Sequence, residues 1–253
     1  MTALEQRLVP VRGQVVRTLT GGAGASSVLL IASPVVSADV YRRTARCLCT
    51  GARVAVVDLP GSGRASRVRR PLGMEALAEF VPELLDALDQ PSAVLIGHSN
   101  SGPIALLAAL RHRHRVAGLV LADSIGAHPS ASLWPIFAGR AIDACLEPRL
   151  TLTGWPAVAN NLMRHTRHFL HQVAGAAGDA WLAAAAGVQV PTLLAWGRRD
   201  HTMPIEAAER FSRAMVHAER AFSDTGSHDW LIEQPDRFAA AVLGWMERQR
   251  TSG

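Results

Sequence analysis

Short, unbroken apolar runs recur along this chain, each followed by a stretch with helical spacing. They are SVLLIA at 27–32, RVAVVD at Arg53–Asp58, AVLIG at 93–97, AGLVLAD at 117–123 and TLLAW at 192–196. Runs this short and uninterrupted fit strands buried on both faces, which need parallel neighbours and crossover helices. The intervening segments supply those helices. Residues 41–50 end at Gly51, and 74–88 places Leu77, Phe80, Val81, Leu84, Leu85 and Leu88 on one face. Further helices are expected at 101–110, 206–215 and 235–248, with an early strand at 15–20 and a short one at 219–222. The expected fold class is α/β: a mostly parallel central sheet flanked by helices.

The interval 124–190 breaks the rhythm. A structureless loop of that length is improbable in a compact domain. Trp134, Ile136, Phe137, Leu162, Met163, Phe169, Leu170, Trp181 and Leu182 recur there at helical spacing. The expectation is a helical cap insertion at 124–189 over a core made of 1–123 and 190–253. Its apolar side is expected to line a substrate cavity; packing as additional core is the alternative. The pocket candidates are Trp134, Phe137, Phe169 and, from the core, Trp230.

Composition narrows the chemistry. All 26 Lys+Arg residues are arginine, so a lysine Schiff base and a P-loop lysine are both excluded. The net charge is +5, yet the arginines are dispersed and aromatic residues make up only 5%, so solvated faces are expected rather than a nucleic-acid interface. The cluster Arg64, Arg67, Arg69 and Arg70 is the place where an anionic substrate or acidic partner could bind. No apolar run reaches the roughly 18 residues that span a bilayer, and the first residues lack a secretory layout. A soluble cytoplasmic protein without membrane association is therefore expected. Cys47, Cys49 and Cys145 have no ligand or disulfide spacing and are read as packing residues. His165, His168 and His171 are read as a helix face, since no carboxylate or cysteine accompanies them at fixed spacing. Nothing in the sequence implies a metal, nucleotide or flavin cofactor.

The strongest local signal is Leu95-Ile96-Gly97-His98-Ser99-Asn100-Ser101-Gly102. A buried strand runs into a helix through a sharp turn carrying a serine. The positions two before and two after that serine must be small, because the backbone there is strained. Gly97 and Ser101 satisfy this, and the following helix N-terminus favours a developing anion. His98 is read as packing beside the turn.

Together with Trp196-Gly197-Arg198-Arg199-Asp200 and Gly226-Ser227-His228-Asp229, this segment resembles the α/β-hydrolase superfamily, its serine-nucleophile branch with capped esterases and thioesterases. The likeness runs from about Val15 onward and is weakest in the cap. It implies a triad in the chain order serine, acid, histidine: Ser99 as nucleophile, Asp200 as acid and His228 as base. Asp123, also at a strand end, is the alternative acid. The resemblance further implies that one oxyanion donor is the backbone N–H of Asn100. The second donor's position falls on Ala32-Ser33-Pro34-Val35, where the family carries His-Gly and a further residue. Pro34 has no N–H to give. Three readings stay open: Val35 donates, the Ser33 hydroxyl substitutes, or no such oxyanion is stabilised.

The expected function is hydrolysis of an ester or thioester with a mostly apolar acyl part through an acyl-Ser99 intermediate. The alternatives are a lyase or cyclase using His228 for proton transfer, and a catalytically silent binding module.

Overall fold

The computed structural model describes residues 3–176 and 178–251; residues 1, 2, 252 and 253 of the expected core and 177 of the expected cap lie outside the described residues. Glu5–Val11 (β1) and Gln14–Gly21 (β2) form a hairpin, followed by Ser27–Ile31 (β3), a 3-10 turn at Ala38–Tyr41 and Arg42–Leu48 (α1). Arg53–Asp58 (β4), Met74–Ala78 (α2), Phe80–Ala87 (α3), Ala93–His98 (β5), Gly102–Arg111 (α4) and Val116–Ala122 (β6) continue the alternation. Between β6 and the next strand come Trp134–Leu146 (α5), Pro148–Arg164 (α6), Thr166–Ala174 (α7) and Leu182–Ala186 (α8). Thr192–Gly197 (β7), Ile205–Ala214 (α9), Glu219–Ser223 (β8), Trp230–Glu233 (α10) and Pro235–Thr251 (α11) complete the chain.

The strands form one sheet in the order β1-β2-β4-β3-β5-β6-β7-β8. β1 and β2 are antiparallel to their neighbours, and the strands from β3 to β8 run parallel. The sheet divides the apolar side chains between two cores by simple alternation. Leu29, Ile31, Leu95, Leu119 and Leu121 face one helical layer. Val28, Leu30, Val94, Ile96 and Val120 face the other, where Trp230, Phe238 and Trp245 pack. Burial on both faces explains why the strands read as continuous apolar runs.

Two elements differ from expectation for identifiable reasons. The strand β1 carries Glu5, Gln6, Arg7 and Pro10 and turns only Val9 and Val11 inward. Charges and proline at an edge strand hide its apolar alternation. The helix expected at 74–88 is two helices, α2 and α3, broken at Glu79. Pro82 lies in the first turn of α3, where its ring is tolerated, whereas within one continuous helix it would clash with the carbonyl of Ala78.

Candidate active site

Strand order reverses between β3 and β5: the chain leaves β3 to build β4 on one side, then crosses to place β5 on the other. In open parallel sheets the crevice at the carboxyl ends of two such strands is where ligands bind. Both strands end there in serine-bearing turns, Ser33 after β3 and Ser99 after β5.

The turn after β5 is held tightly. Ser99 has φ +52, a left-handed conformation that costs a non-glycine residue energy. A Cβ on Gly97 would lie 2.7 Å from the Ser101 carbonyl oxygen and 2.8 Å from the Ala105 Cβ. Ser101, standing where the family's pattern has a second glycine, uses its hydroxyl. It accepts from the His98 N–H at 2.9 Å and donates to the Ile31 carbonyl at 2.6 Å, tying β5 to the end of β3.

The structure brings Ser99, His228 and Asp200 together. His228 Nε2 is 2.9 Å from Ser99 Oγ, and His228 Nδ1 is 2.9 Å from Asp200 Oδ2. The other oxygen, Asp200 Oδ1, accepts the Met203 N–H at 2.6 Å. Burial opposes a charged imidazole, but the adjacent Asp200 carboxylate outweighs it and raises His228 to about 9. Asp123 lies beside this pair without touching His228. Its Oδ1 accepts the Gly197 N–H at 2.8 Å. Burial and the negative charge of Asp200 push it well above the usual carboxylate range. It is Asp200, not Asp123, that bonds the His228 imidazole.

Sequence reasoning missed the polar network on the other side of His228. Tyr41 Oη is 2.9 Å from His98 Nδ1, and His98 Nε2 is 3.2 Å from the carbonyl oxygen of His228. That carbonyl can only accept, so Nε2 carries the proton and Nδ1 accepts the Tyr41 hydroxyl. Burial lowers His98 to about 4, which keeps it neutral in this role. Tyr41 in turn accepts the Ser33 N–H at 3.3 Å. Next along, Arg140 of α5 donates to Asp229 at 2.7 Å and also to Glu147. Glu147 accepts the Asp229 N–H at 2.7 Å. Burial opposes the Asp229 carboxylate, yet Arg140 holds it down to about 2. Asp143, also of α5, accepts from the backbone of His201 and Thr202, just past Asp200. The inserted helices are thereby pinned to the loops carrying the acid and the histidine.

These contacts reverse the usual polarity of α5. Asp143 and Gly139 face inward with Ile136, as does Glu147 just past the helix end, while Trp134, Ile142 and Leu146 face outward. Trp134 is 75% exposed and does not line the pocket, a correction to the sequence-based expectation. Trp230 is a second correction: it is 2% exposed and packs edge-on against Phe238 in the core below. Phe137 and Phe169 do line the cavity, as does Ile136, whereas Leu162, Met163 and Leu170 point outward. The signal that could have revealed this was the spacing Ile136, Arg140, Asp143, which places two charges on one face of α5 with an apolar residue, and Glu147 directly past its end.

The cavity has a volume of about 260 Å³. Ser99, Asn100, Ser33, Val35 and His228 form its floor, and Leu150, Trp155, Val158 and Val173 are among its apolar walls. Pro34 is not in the lining; its carbonyl accepts from Asn161 of α6 at 3.2 Å. A larger cavity, about 340 Å³, lies at the opposite ends of the strands among Glu5, Arg7, Thr20, Arg53 and Gln90, with no nucleophile–base pair in its lining.

His165 and His168 are packing residues rather than ligands: His165 is buried against the Gly63 carbonyl, and His168 Nδ1 accepts the Leu72 N–H at 3.3 Å. Among the described residues, no group of three or more His, Cys, Asp or Glu side chains could hold a metal ion, and no helix is long and apolar enough to cross a membrane.

Comparison with known proteins agrees with this architecture. The family profile described as alpha/beta hydrolase fold matches residues 18–144. The pimeloyl-[acyl-carrier protein] methyl ester esterase of Aromatoleum aromaticum is 30% identical over 229 residues, covering 77% of this chain and 88% of that protein. Among solved structures, a thermophilic esterase from Thermogutta terrifontis superposes with a TM-score of 0.82 at 20% identity, covering 97% of this chain and 99% of that one. The enol-lactonase from Burkholderia xenovorans does so with a TM-score of 0.80 at 21% identity, covering 95% and 100%. The chain belongs to the α/β-hydrolase family of enzymes.

Proposed function

We propose that this protein hydrolyses an ester or thioester with a small apolar acyl group, through a covalent acyl-Ser99 intermediate, with the inserted helices of 124–189 acting as a cap. The observation that carries this reading is the unbroken line Ser99 Oγ–His228–Asp200, each link 2.9 Å, opening on an apolar cavity. Relatives named as a methyl ester esterase and an esterase support it.

In the first half-reaction, neutral His228 takes the Ser99 proton through Nε2 as Ser99 Oγ bonds to the acyl carbon. Asp200 holds the Nδ1–H tautomer and stabilises the imidazolium that forms. The carbonyl oxygen gains negative charge at the N-terminus of α4, where the Asn100 N–H is available. His228 returns the proton to the departing alkoxide or thiolate. Water then repeats the sequence on the acyl enzyme. The cavity, at about 260 Å³, falls below the usual range of about 300–1,000 Å³ for drug-sized ligands, which favours short acyl chains. One observation favours a second reading, proton-transfer chemistry by a lyase or cyclase: Pro34 stands where a backbone oxyanion donor is expected.

The test is hydrolysis of p-nitrophenyl esters of graded acyl length by the wild type and Ser99→Ala. Turnover that peaks at a short chain and vanishes in the variant supports the reading. No turnover at any length by the folded wild type overturns it in favour of the lyase or cyclase. Equal turnover by Ser99→Ala removes Ser99 from the mechanism.

A further inference from the structure

We infer that the Ser33 hydroxyl is a catalytic oxyanion donor, replacing the backbone N–H that Pro34 lacks. The inference rests on the acyl-Ser99 reading.

Four observations converge. First, Pro34 has no N–H, and its peptide is further committed because its carbonyl is held by Asn161. Second, the Ser33 N–H is already spent on Tyr41 at 3.3 Å, so the backbone of that residue is not free to serve. Third, Ser33 is 2% exposed and its Oγ is buried with no hydrogen-bond partner among the described residues. An orphaned buried hydroxyl is costly, so native structures rarely keep one without a use. Fourth, Ser33 stands at the reacting end of the sheet. Ser33 and Ser99 line the same cavity. Their strands are adjacent and parallel, with Ile31 opposite Gly97. Ser33 follows the end of β3 and Ser99 the end of β5, so both stand in the turns at the carboxyl ends of these two strands.

The Tyr41 contact gives the arrangement its rigidity. The chain from Ser33 N–H through Tyr41 and His98 to the His228 carbonyl links the turn carrying the proposed donor to the segment carrying the base. Preorganised donors stabilise a transition state because they need no reorientation as charge develops.

The step balances as follows. The Ser99 Oγ–carbon bond forms as the carbonyl π pair moves onto oxygen, and the Ser99 proton goes to His228 Nε2. The new oxyanion accepts hydrogen bonds from the Asn100 N–H and the Ser33 O–H, and Ser33 transfers no proton. When the tetrahedral species collapses, the pair returns to the carbonyl and the leaving group departs with the His228 proton.

The test is Ser33→Ala, alone and combined with Pro34→Ala, assayed on the best p-nitrophenyl ester. Loss of one oxyanion donor lowers rate by roughly 10²–10³. Ser33→Ala is therefore expected to lose about that factor in kcat with KM nearly unchanged. Affinity for a trifluoromethyl ketone, which forms a tetrahedral oxyanion on Ser99, should fall in parallel. Ser33→Thr, which keeps a hydroxyl, should retain more activity than Ser33→Ala. Pro34→Ala restores a backbone N–H, so the double variant should recover part of the lost kcat. A Ser33→Ala enzyme with wild-type kcat and wild-type ketone affinity overturns the inference and assigns the donor elsewhere, with Val35 N–H the next candidate. A loss in Ser33→Ala traced to a lower melting temperature, without the ketone effect, overturns it as well. Ser99→Ala run alongside separates the two failures: if it is dead while Ser33→Ala is normal, only the Ser33 assignment falls.

Discussion

Asp143 offers a quantitative check on how the inserted helices support the site. The residue is fully buried and, among the described residues, its carboxylate accepts from the loop just past Asp200: the Thr202 N–H at 2.8 Å, the Thr202 hydroxyl at 2.6 Å, and His201 through its N–H at 3.2 Å and its Nδ1 at 3.0 Å. In Asp143→Ala the His201 groups can rehydrate, because that side chain is 43% exposed. Thr202 cannot, since it is buried. Its two stranded donors cost roughly 1–3 kcal/mol each, partly offset by no longer burying a carboxylate, for a net of about 3 kcal/mol. At about 2–4 °C per kcal/mol for a chain of this size, the melting temperature should fall by about 6–12 °C. Asp143→Asn should fall by roughly half as much, because its NH₂ must oppose one of the donors the carboxylate accepted. Calorimetry supplies the melting temperature, and steady-state kinetics on the same samples should show kcat falling more than KM rises, since the displaced loop follows Asp200. A melting temperature within about 2 °C of wild type, with kcat unchanged, would refute the reasoning that this contact holds the acid loop.

Three further outcomes are expected. Because Asp200 raises His228 to about 9, and protonated His228 cannot accept the Ser99 proton, kcat/KM should rise with pH through an ionisation above the ordinary histidine value of 6.5; a pH profile with its acid limb at or below 6.5 contradicts this. The same shift means that folded His228 holds its proton more tightly than the unfolded chain does, so its contribution to stability is complete below about pH 6.5 and is lost as pH rises through about 9. Asp200→Asn should cost orders of magnitude in kcat, as removal of the triad acid does elsewhere, and Asp123→Asn much less; the reverse ranking would move the acid to Asp123.

Much of the candidate site could be read in the sequence because its signals are local. Gly97, Ser99 and Ser101 mark a strand-to-helix turn by size alone, and Asp200 and His228 each follow an apolar or glycine-marked segment in the family's order. The missed residues share a different property. Tyr41, Arg140, Asp143, Glu147 and Asp229 gain their meaning from partners far away in the chain, such as Asp143 with Thr202 and Tyr41 with His98. The incorrect pocket residues failed for a related reason. Trp134 belongs to a helix whose charged face turns inward to meet the site loops, so hydrophobicity pointed the wrong way. Trp230 sits two residues past His228, at the start of α10, which directs it into the core.

The sequence by itself determined the parallel sheet, the order of the chemical groups along the chain and the sharp turn that carries Ser99, since strand burial and backbone strain leave their marks on neighbouring residues. Only the tertiary structure decided which carboxylate meets His228, which wall of the cavity is polar and that the Ser33 hydroxyl has no partner among the described residues. Those outcomes depend on the crossover that sets β3 beside β5 and on inserted helices that bury charge toward the site, and a side chain's partners across such distances are fixed by packing rather than by spacing.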